Sequence, residues 1–184
     1  MQRYIIGHAI IELTSGDIVK QDVDAIVNAA NEDLAEGGGV CGAIFAAAGS
    51  RELTAACRPL APCPTGEARL TPGFRLRARH IIHAVGPVYN QRDPEGSARL
   101  LASAYRSSLA LAARHNLASV AFPSISTGIF GYPVAEAAPV ALAAVRDALS
   151  GGSSVTLVRF VLWGDRAMAA YTQAAHDLGL TPTG

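Results

Sequence analysis

Apolar positions along the chain fall into short runs, and the spacing inside those runs changes from one to the next. Residues 9–13 (AIIEL) read as a strand, and the TSGD that follows at 14–17 reads as a turn. Residues 25–28 (AIVN) are a short apolar run that predicts a buried strand. Residues 40–48 hold helix-forming alanines with Gly42 as the one breaker. Segments 66–71 and 81–85 are strand candidates, the second ended by Pro87. Residues 98–114 place apolar side chains at i, i+3 and i+4, which predicts a long helix. A strand over 119–125 is interrupted late by Pro123. The helix predicted over 134–149 starts behind Pro133, where a proline is tolerated, and Pro139 is expected to kink its first turns or delay its regular part. A turn at 151–154, a strand at 155–163 and a helix at 167–178 complete the series. Residues 57–64 are a proline-rich loop, and 89–96 a polar loop.

Strands alternating with helices predict an α/β layer architecture around a parallel or mixed sheet. No internal repeat or linker divides the 184 residues, so one domain over 1–184 is expected. Half the residues are hydrophobic and only 16% charged, as in a folded globular protein. The net charge is zero, so no global field would hold nucleic acid or an anionic membrane. Cys41, Cys57 and Cys63 are odd in number and lack ligand spacing, which argues against a disulfide framework and against a metal site. The start, MQRYIIGHAIIEL, lacks a signal-peptide core, and no run reaches the length of a membrane span. A reducing, cytoplasmic setting is expected. One lysine among many arginines and alanines hints at a GC-rich bacterial coding sequence.

Open α/β sheets bind ligands at the carboxyl ends of their strands, and two loops here share one design. One follows AIVNAAN and passes through Gly37, Gly38 and Gly39 into a helix. The other follows SVAFPSI and runs Ser126, Thr127, Gly128, Ile129, Phe130, Gly131 into the helix behind Pro133. Glycines let backbone amides approach an anion, and a helix N-terminus offers free N–H groups and a favourable dipole. Either loop alone is explained as an ordinary strand-to-helix turn. As a pair they suggest a diphosphate gripped from both sides.

Other readings of the glycine stretch fare less well. Gly37 to Gly42 formally satisfies G-x-G-x-x-G, but NEDLAE separates it from its strand and the expected acidic residue is missing, Glu67 lying too far on. A nicotinamide-type oxidoreductase is thus a distant alternative. No G-K-[ST] exists, which excludes a Walker loop. Cys41 at a helix start could be an activated nucleophile, with His8, His80, His83 or His115 near in space. A small residue packed beneath a loop is the commoner reason for a cysteine there.

The segment NAANEDLAEGGGVCGAIFAAAG at 28–49 resembles the signature of macrodomains, the α/β modules that bind ADP-ribose. GDIVKQDVDAIVNAAN at 16–31, IIHAVGPVY at 81–89 and PSISTGIFGYP at 123–133 are similar to further family segments, in family order. The resemblance spans nearly the whole chain and points to the branch of mono-ADP-ribosyl hydrolases and O-acetyl-ADP-ribose deacetylases. It implies a three-layer α-β-α sandwich with a central mixed sheet, no cofactor, and ADP-ribose and ADP-ribosylated proteins as partners of a monomer. Under it, Asp17 accepts from the adenine amine with Ile18 beside it, and Asn31 holds the distal ribose. Asn28 is then a backbone-satisfying residue at the strand end. Gly38, Gly39, Val40 and Cys41 wrap the distal ribose and diphosphate. Ser126, Thr127, Gly128, Ile129 and Phe130 form the second cradle, with Phe130 also packing on the ribose. Trp163 either borders the adenine or fills core. Asn31, Gly39 and Cys41 are the candidate catalytic residues.

The chain departs from that branch at two positions. Cys41 stands where an aspartate usually follows GGGV, and Phe45 where a histidine usually follows four positions later. The aspartate is the usual water-activating group, and a thiol is a poor substitute for a carboxylate base near pH 7. Two outcomes stay open: hydrolysis by a water that the substrate's own phosphate positions, and an ADP-ribose reader without turnover.

Overall fold

The computed structural model describes residues 1–184. Strand side chains alternate between two faces of a sheet, and in the central strands both faces carry apolar residues because helices cover both. In β3 (Ala25–Ala29), Val27 faces one core and Ile26 the other. In β6 (Ser119–Phe122), Val120 and Phe122 face the first core and Ala121 the second. β5 (His80–Ala84) and β7 (Leu157–Leu162) divide in the same way. This double burial gives the central segments their mostly apolar runs, interrupted at Asn28, His83 and Arg159.

The remaining strands are β1 (Gln2–Ile6), β2 (Ala9–Ser15), β4 (Ala68–Pro72) and β8 (Thr181–Pro182). All eight form one sheet in the order β4-β5-β3-β6-β7-β2-β1-β8. The five central strands β5, β3, β6, β7 and β2 are parallel, while β4 pairs antiparallel with β5 at one edge and β1 pairs antiparallel with both β2 and β8 at the other. Helices α1 (Gly39–Ala48) and α2 (Ser50–Cys57) pack on one face, burying Ile44, Phe45 and Leu53. Helices α3 (Pro94–Arg114), α4 (Val134–Ser150) and α5 (Asp165–Asp177) cover the other, burying Tyr105, Leu142 and Tyr171. The result is the expected three-layer sandwich around a mixed sheet. No helix is long and apolar enough to cross a membrane.

Several elements differ from the sequence expectation for local reasons. β1 lies next to the edge with Arg3 and Ile5 exposed and Tyr4 and Ile6 buried, and the edge strand β8 has only two residues. α2 has eight residues of modest propensity, and buried Leu53 and Cys57 dock it. β2 runs on through the presumed turn to Ser15, while β6 stops at Phe122 because Pro123 has no N–H to donate. α4 continues through Pro139 without interruption.

One part of the core fastens the functional end of the sheet. The rings of Tyr105, Phe122, Phe160 and Tyr171 pack with neighbouring centroids 5.0–5.9 Å apart. The Tyr105 hydroxyl accepts from Ile125 N (3.0 Å), and the Tyr171 hydroxyl bonds Ser124 Oγ (2.9 Å). Buried hydroxyls need such partners, and satisfying them holds the chain just past β6 in place.

Candidate functional site

β3 and β6 are hydrogen-bonded neighbours, so the loops leaving their carboxyl ends stand side by side. Between them lies a cavity of about 270 Å³. Its walls include Asn31, Gly37 to Cys41, Gly86, Pro123 to Ser126 and Gly128 to Phe130. The backbone amides of Gly38, Gly39, Val40, Gly128, Ile129 and Phe130 make no hydrogen bond within the protein. Six donors from two loops thus remain for a ligand, three of them at the N-terminus of α1.

Each loop is held from behind. The Asn31 side chain brackets Ala35, its Nδ2 donating to Ala35 O and its Oδ1 accepting from Ala35 N, both at 3.0 Å. Gly42 is required next to this turn, since a β-carbon there would lie 2.6 Å from Gly37 O. In the second loop Ser126 has φ +67°, a left-handed conformation unusual for serine. Its hydroxyl is buried in the cavity wall without a partner. A buried hydroxyl left unmade is unfavourable by about 1–3 kcal/mol, which an anionic ligand oxygen would relieve. Gly86 lies so close that any β-carbon would overlap Ser126 Oγ and the Ile125 side chain.

The cavity brings together Asn31, Gly38, Gly39, Val40, Cys41, Ser126, Gly128, Ile129 and Phe130. Thr127 is not in the wall; its hydroxyl turns back to Ser124 O at 2.9 Å and serves the turn itself. Asp17, Ile18 and Trp163 also lie outside the cavity. Asp17 Oδ1 caps the short 3-10 turn Ile18–Lys20 by accepting from Val19 N, and Ile18 is buried. Trp163 is 88% exposed, so it does not fill core. β2 and β7 pair Ser15 with Leu162, which places the Asp17 and Trp163 segments together at adjoining strand ends, one strand (β7) and two strands (β2) from β6. The carboxyl ends of β6, β7 and β2 thus follow one another along the same edge of the sheet, from the cavity to the Asp17 turn. Val40 and Ile129 leave apolar side chains exposed at the cavity mouth.

Cys41 is 5% exposed, with Sγ 3.7 Å from both Asn28 Nδ2 and Ala35 O. No carboxylate lines the cavity. Phe45 is fully buried and meets the His83 ring edge-on at 6.5 Å.

Beneath this wall runs a polar string that sequence reasoning missed. Asn28 does not satisfy backbone; its Nδ2 lies 3.1 Å from His83 Nδ1. With that contact as a donation, His83 carries its proton on Nε2, which faces Thr71 Oγ1 at 2.9 Å and Cys57 Sγ at 3.8 Å. Burial pulls the His83 pKa down to about 4. Burial, with Cys41 nearby, pushes the Cys57 thiol up to about 11, so Cys57 stays protonated. Unfolded His83 titrates near 6.5. The stability contributed by neutral His83 is complete above pH ~6.5 and is lost as pH falls towards the folded value of about 4, a change on the order of 3 kcal/mol. Thermal melts between pH 7 and pH 4 should show this fall, and His83→Gln should flatten it.

Comparison with known proteins agrees with this architecture. A profile described as "Macro domain" matches residues 27–141. A macro domain-containing protein of Chlorobaculum tepidum is 49% identical over 167 residues, 91% of this chain and 96% of that one. The ADP-ribose glycohydrolase MACROD1 of Rattus norvegicus is 56% identical over 137 residues, 74% of this chain and 53% of that protein. Among solved structures, the Oceanobacillus iheyensis macrodomain with ADP matches at TM-score 0.90 and 42% identity, covering 96% of this chain and 95% of that one. A Trypanosoma brucei macrodomain in complex with ADP-ribose matches at TM-score 0.81 and 38% identity, covering 90% and 68%.

Proposed function

The chain belongs to the macro domain family, and we propose that it binds ADP-ribose and hydrolyses mono-ADP-ribosyl esters of acidic protein side chains, or the acetyl ester of O-acetyl-ADP-ribose. The carrying observation is the cavity of about 270 Å³ between two loops whose six free amides converge from neighbouring strand ends. The diphosphate takes those amides and the unpartnered Ser126 hydroxyl. The adenine reaches Asp17, Ile18 and Trp163 at the ends of β2 and β7. The distal ribose sits between Asn31, the Gly37 to Gly39 loop and Phe130, with Cys41 in the wall behind it.

On the protein ester, a water held by Asn31, the Gly39 backbone and the substrate's diphosphate attacks the anomeric carbon. The bond from that carbon to the ester oxygen breaks, and its electron pair leaves with the carboxylate. The water's proton passes through a phosphate oxygen to solvent. The transition state carries positive charge near the anomeric carbon, which the adjacent diphosphate stabilises. Positioning supplies the remaining catalysis. Without a carboxylate base, turnover is expected to be slower by about 10²–10⁴-fold than with one.

The absence of a carboxylate from the cavity wall favours the second reading, a reader that binds without turnover. The reading takes residues 1–184 as one domain acting as a monomer, and the three free, buried thiols support a reducing, cytoplasmic setting. Calorimetry with ADP-ribose tests binding, and release of ADP-ribose from glutamate-modified protein tests turnover. Trp163 is the one tryptophan of the chain. Its emission should shift on titration with ADP-ribose and remain unchanged with inorganic phosphate.

A further inference from the structure

Next to the ribose end of the cavity lies a second, polar cleft of about 410 Å³. It is lined by Glu36, Ser50, Arg51, Thr54, Ala55 and Arg58. Glu36 precedes Gly37, a wall residue of the main cavity, so the two openings are separated by a single stretch of chain. Arg51 and Arg58 are exposed, and neither forms a salt bridge. Glu36, the acidic member of the cleft, accepts from Ser50 Oγ at 3.0 Å. Neighbouring Glu52 is engaged by Arg75 at 3.7 Å. The cleft therefore presents two guanidinium groups to one carboxylate.

We propose that this cleft docks the polypeptide flanking the ADP-ribosylated side chain and selects acidic sequence there. The inference rests on the proposed function, because only a ligand with its ribose beside Gly37 sends its protein part towards Glu36. Arg51 and Arg58 are seven residues apart on a backbone that stays helical through Arg58, hence roughly 10 Å along the axis. A peptide in the extended polyproline II conformation advances about 3.1 Å per residue and returns to the same face every third residue, so carboxylates three positions apart match that spacing and face the cleft together. Guanidinium groups pair with carboxylates in two-point geometry, and exposed pairs of this kind each contribute modestly and are screened by salt.

Two peptides carrying ADP-ribose through a hydrolysis-resistant link, one with glutamates and one with lysines around the site, separate the possibilities. At low salt the wild type should bind the acidic conjugate about three- to tenfold more tightly than the basic one. Arg51→Gln/Arg58→Gln should abolish that preference, and Arg51→Glu/Arg58→Glu should invert it. Both variants should bind free ADP-ribose as the wild type does, which also certifies their fold. Equal affinity for the two conjugates overturns the proposal. So does a gain seen only with a two-unit ADP-ribose oligomer, which would assign the arginines to phosphate. A third arm is independent of ADP-ribose: an unmodified acidic peptide should shift the side-chain NMR signals of Arg51 and Arg58. Loss of ADP-ribose binding with that shift intact would sink the parent function and leave the cleft standing; absence of the shift would sink the cleft.

Discussion

Cys41→Asp should raise the turnover number on glutamate-linked ADP-ribose by about 10²-fold or more, within the range that a general base contributes. The site is ready to accept the carboxylate. Residue 41 is the third residue of α1, where the helix terminus favours negative charge, and the Asn28 amide lies within reach of its side chain. Two groups oppose it: the Ala35 carbonyl beside residue 41 and the diphosphate of the ligand. ADP-ribose affinity should therefore weaken by a few-fold while kcat rises. Steady-state kinetics separates the two effects. An unchanged kcat would mean that the missing carboxylate does not limit the reaction. Activity in the variant alone, with none in the wild type, would make the natural protein a reader.

Gly42→Ala should lower kcat/KM by about 10²-fold, the order of loss that follows a 1 Å misplacement of a positioning group. A β-carbon at residue 42 would stand 2.6 Å from Gly37 O. The obstacle is backbone, so the loop must shift rather than a side chain rotate. In the proposed site Gly37 to Gly39 supply the ribose wall and part of the phosphate cradle, and their displacement would remove both. Alanine also favours the helix by about 0.5–1 kcal/mol over glycine, so folding should survive while affinity is lost. A melting temperature near that of the wild type, together with weakened ADP-ribose binding, identifies the effect as local.

The two loops were legible in the sequence because left-handed backbone, as at Gly39 and Gly131, favours glycine, and glycine is visible in one dimension. The central strands were legible because helices on both faces leave them mostly apolar runs. The strands at and beside this edge carry no such mark: β1 mixes exposed Arg3 and Ile5 with buried Tyr4 and Ile6, and β8 is two residues long. Thr127 reads like its neighbours, yet local turn geometry points its hydroxyl back at Ser124. The string Asn28, His83, Thr71 could not be read, because parallel pairing of β3 with β5 and antiparallel pairing of β4 with β5 bring its members together. Its consequence is that the cavity wall at Cys41 rests on a buried neutral histidine. The Arg51 and Arg58 cleft was equally hidden, since α2 itself was not foreseen.

The central claim is that a paired amide cradle both binds ADP-ribose and positions a water for ester hydrolysis without a protein carboxylate. Incubating the purified wild type with protein mono-ADP-ribosylated on glutamate, and quantifying released ADP-ribose over hours, tests it most directly. The account predicts slow release that is proportional to enzyme and that Gly42→Ala suppresses. Tight binding of ADP-ribose with no release above the spontaneous rate would contradict it.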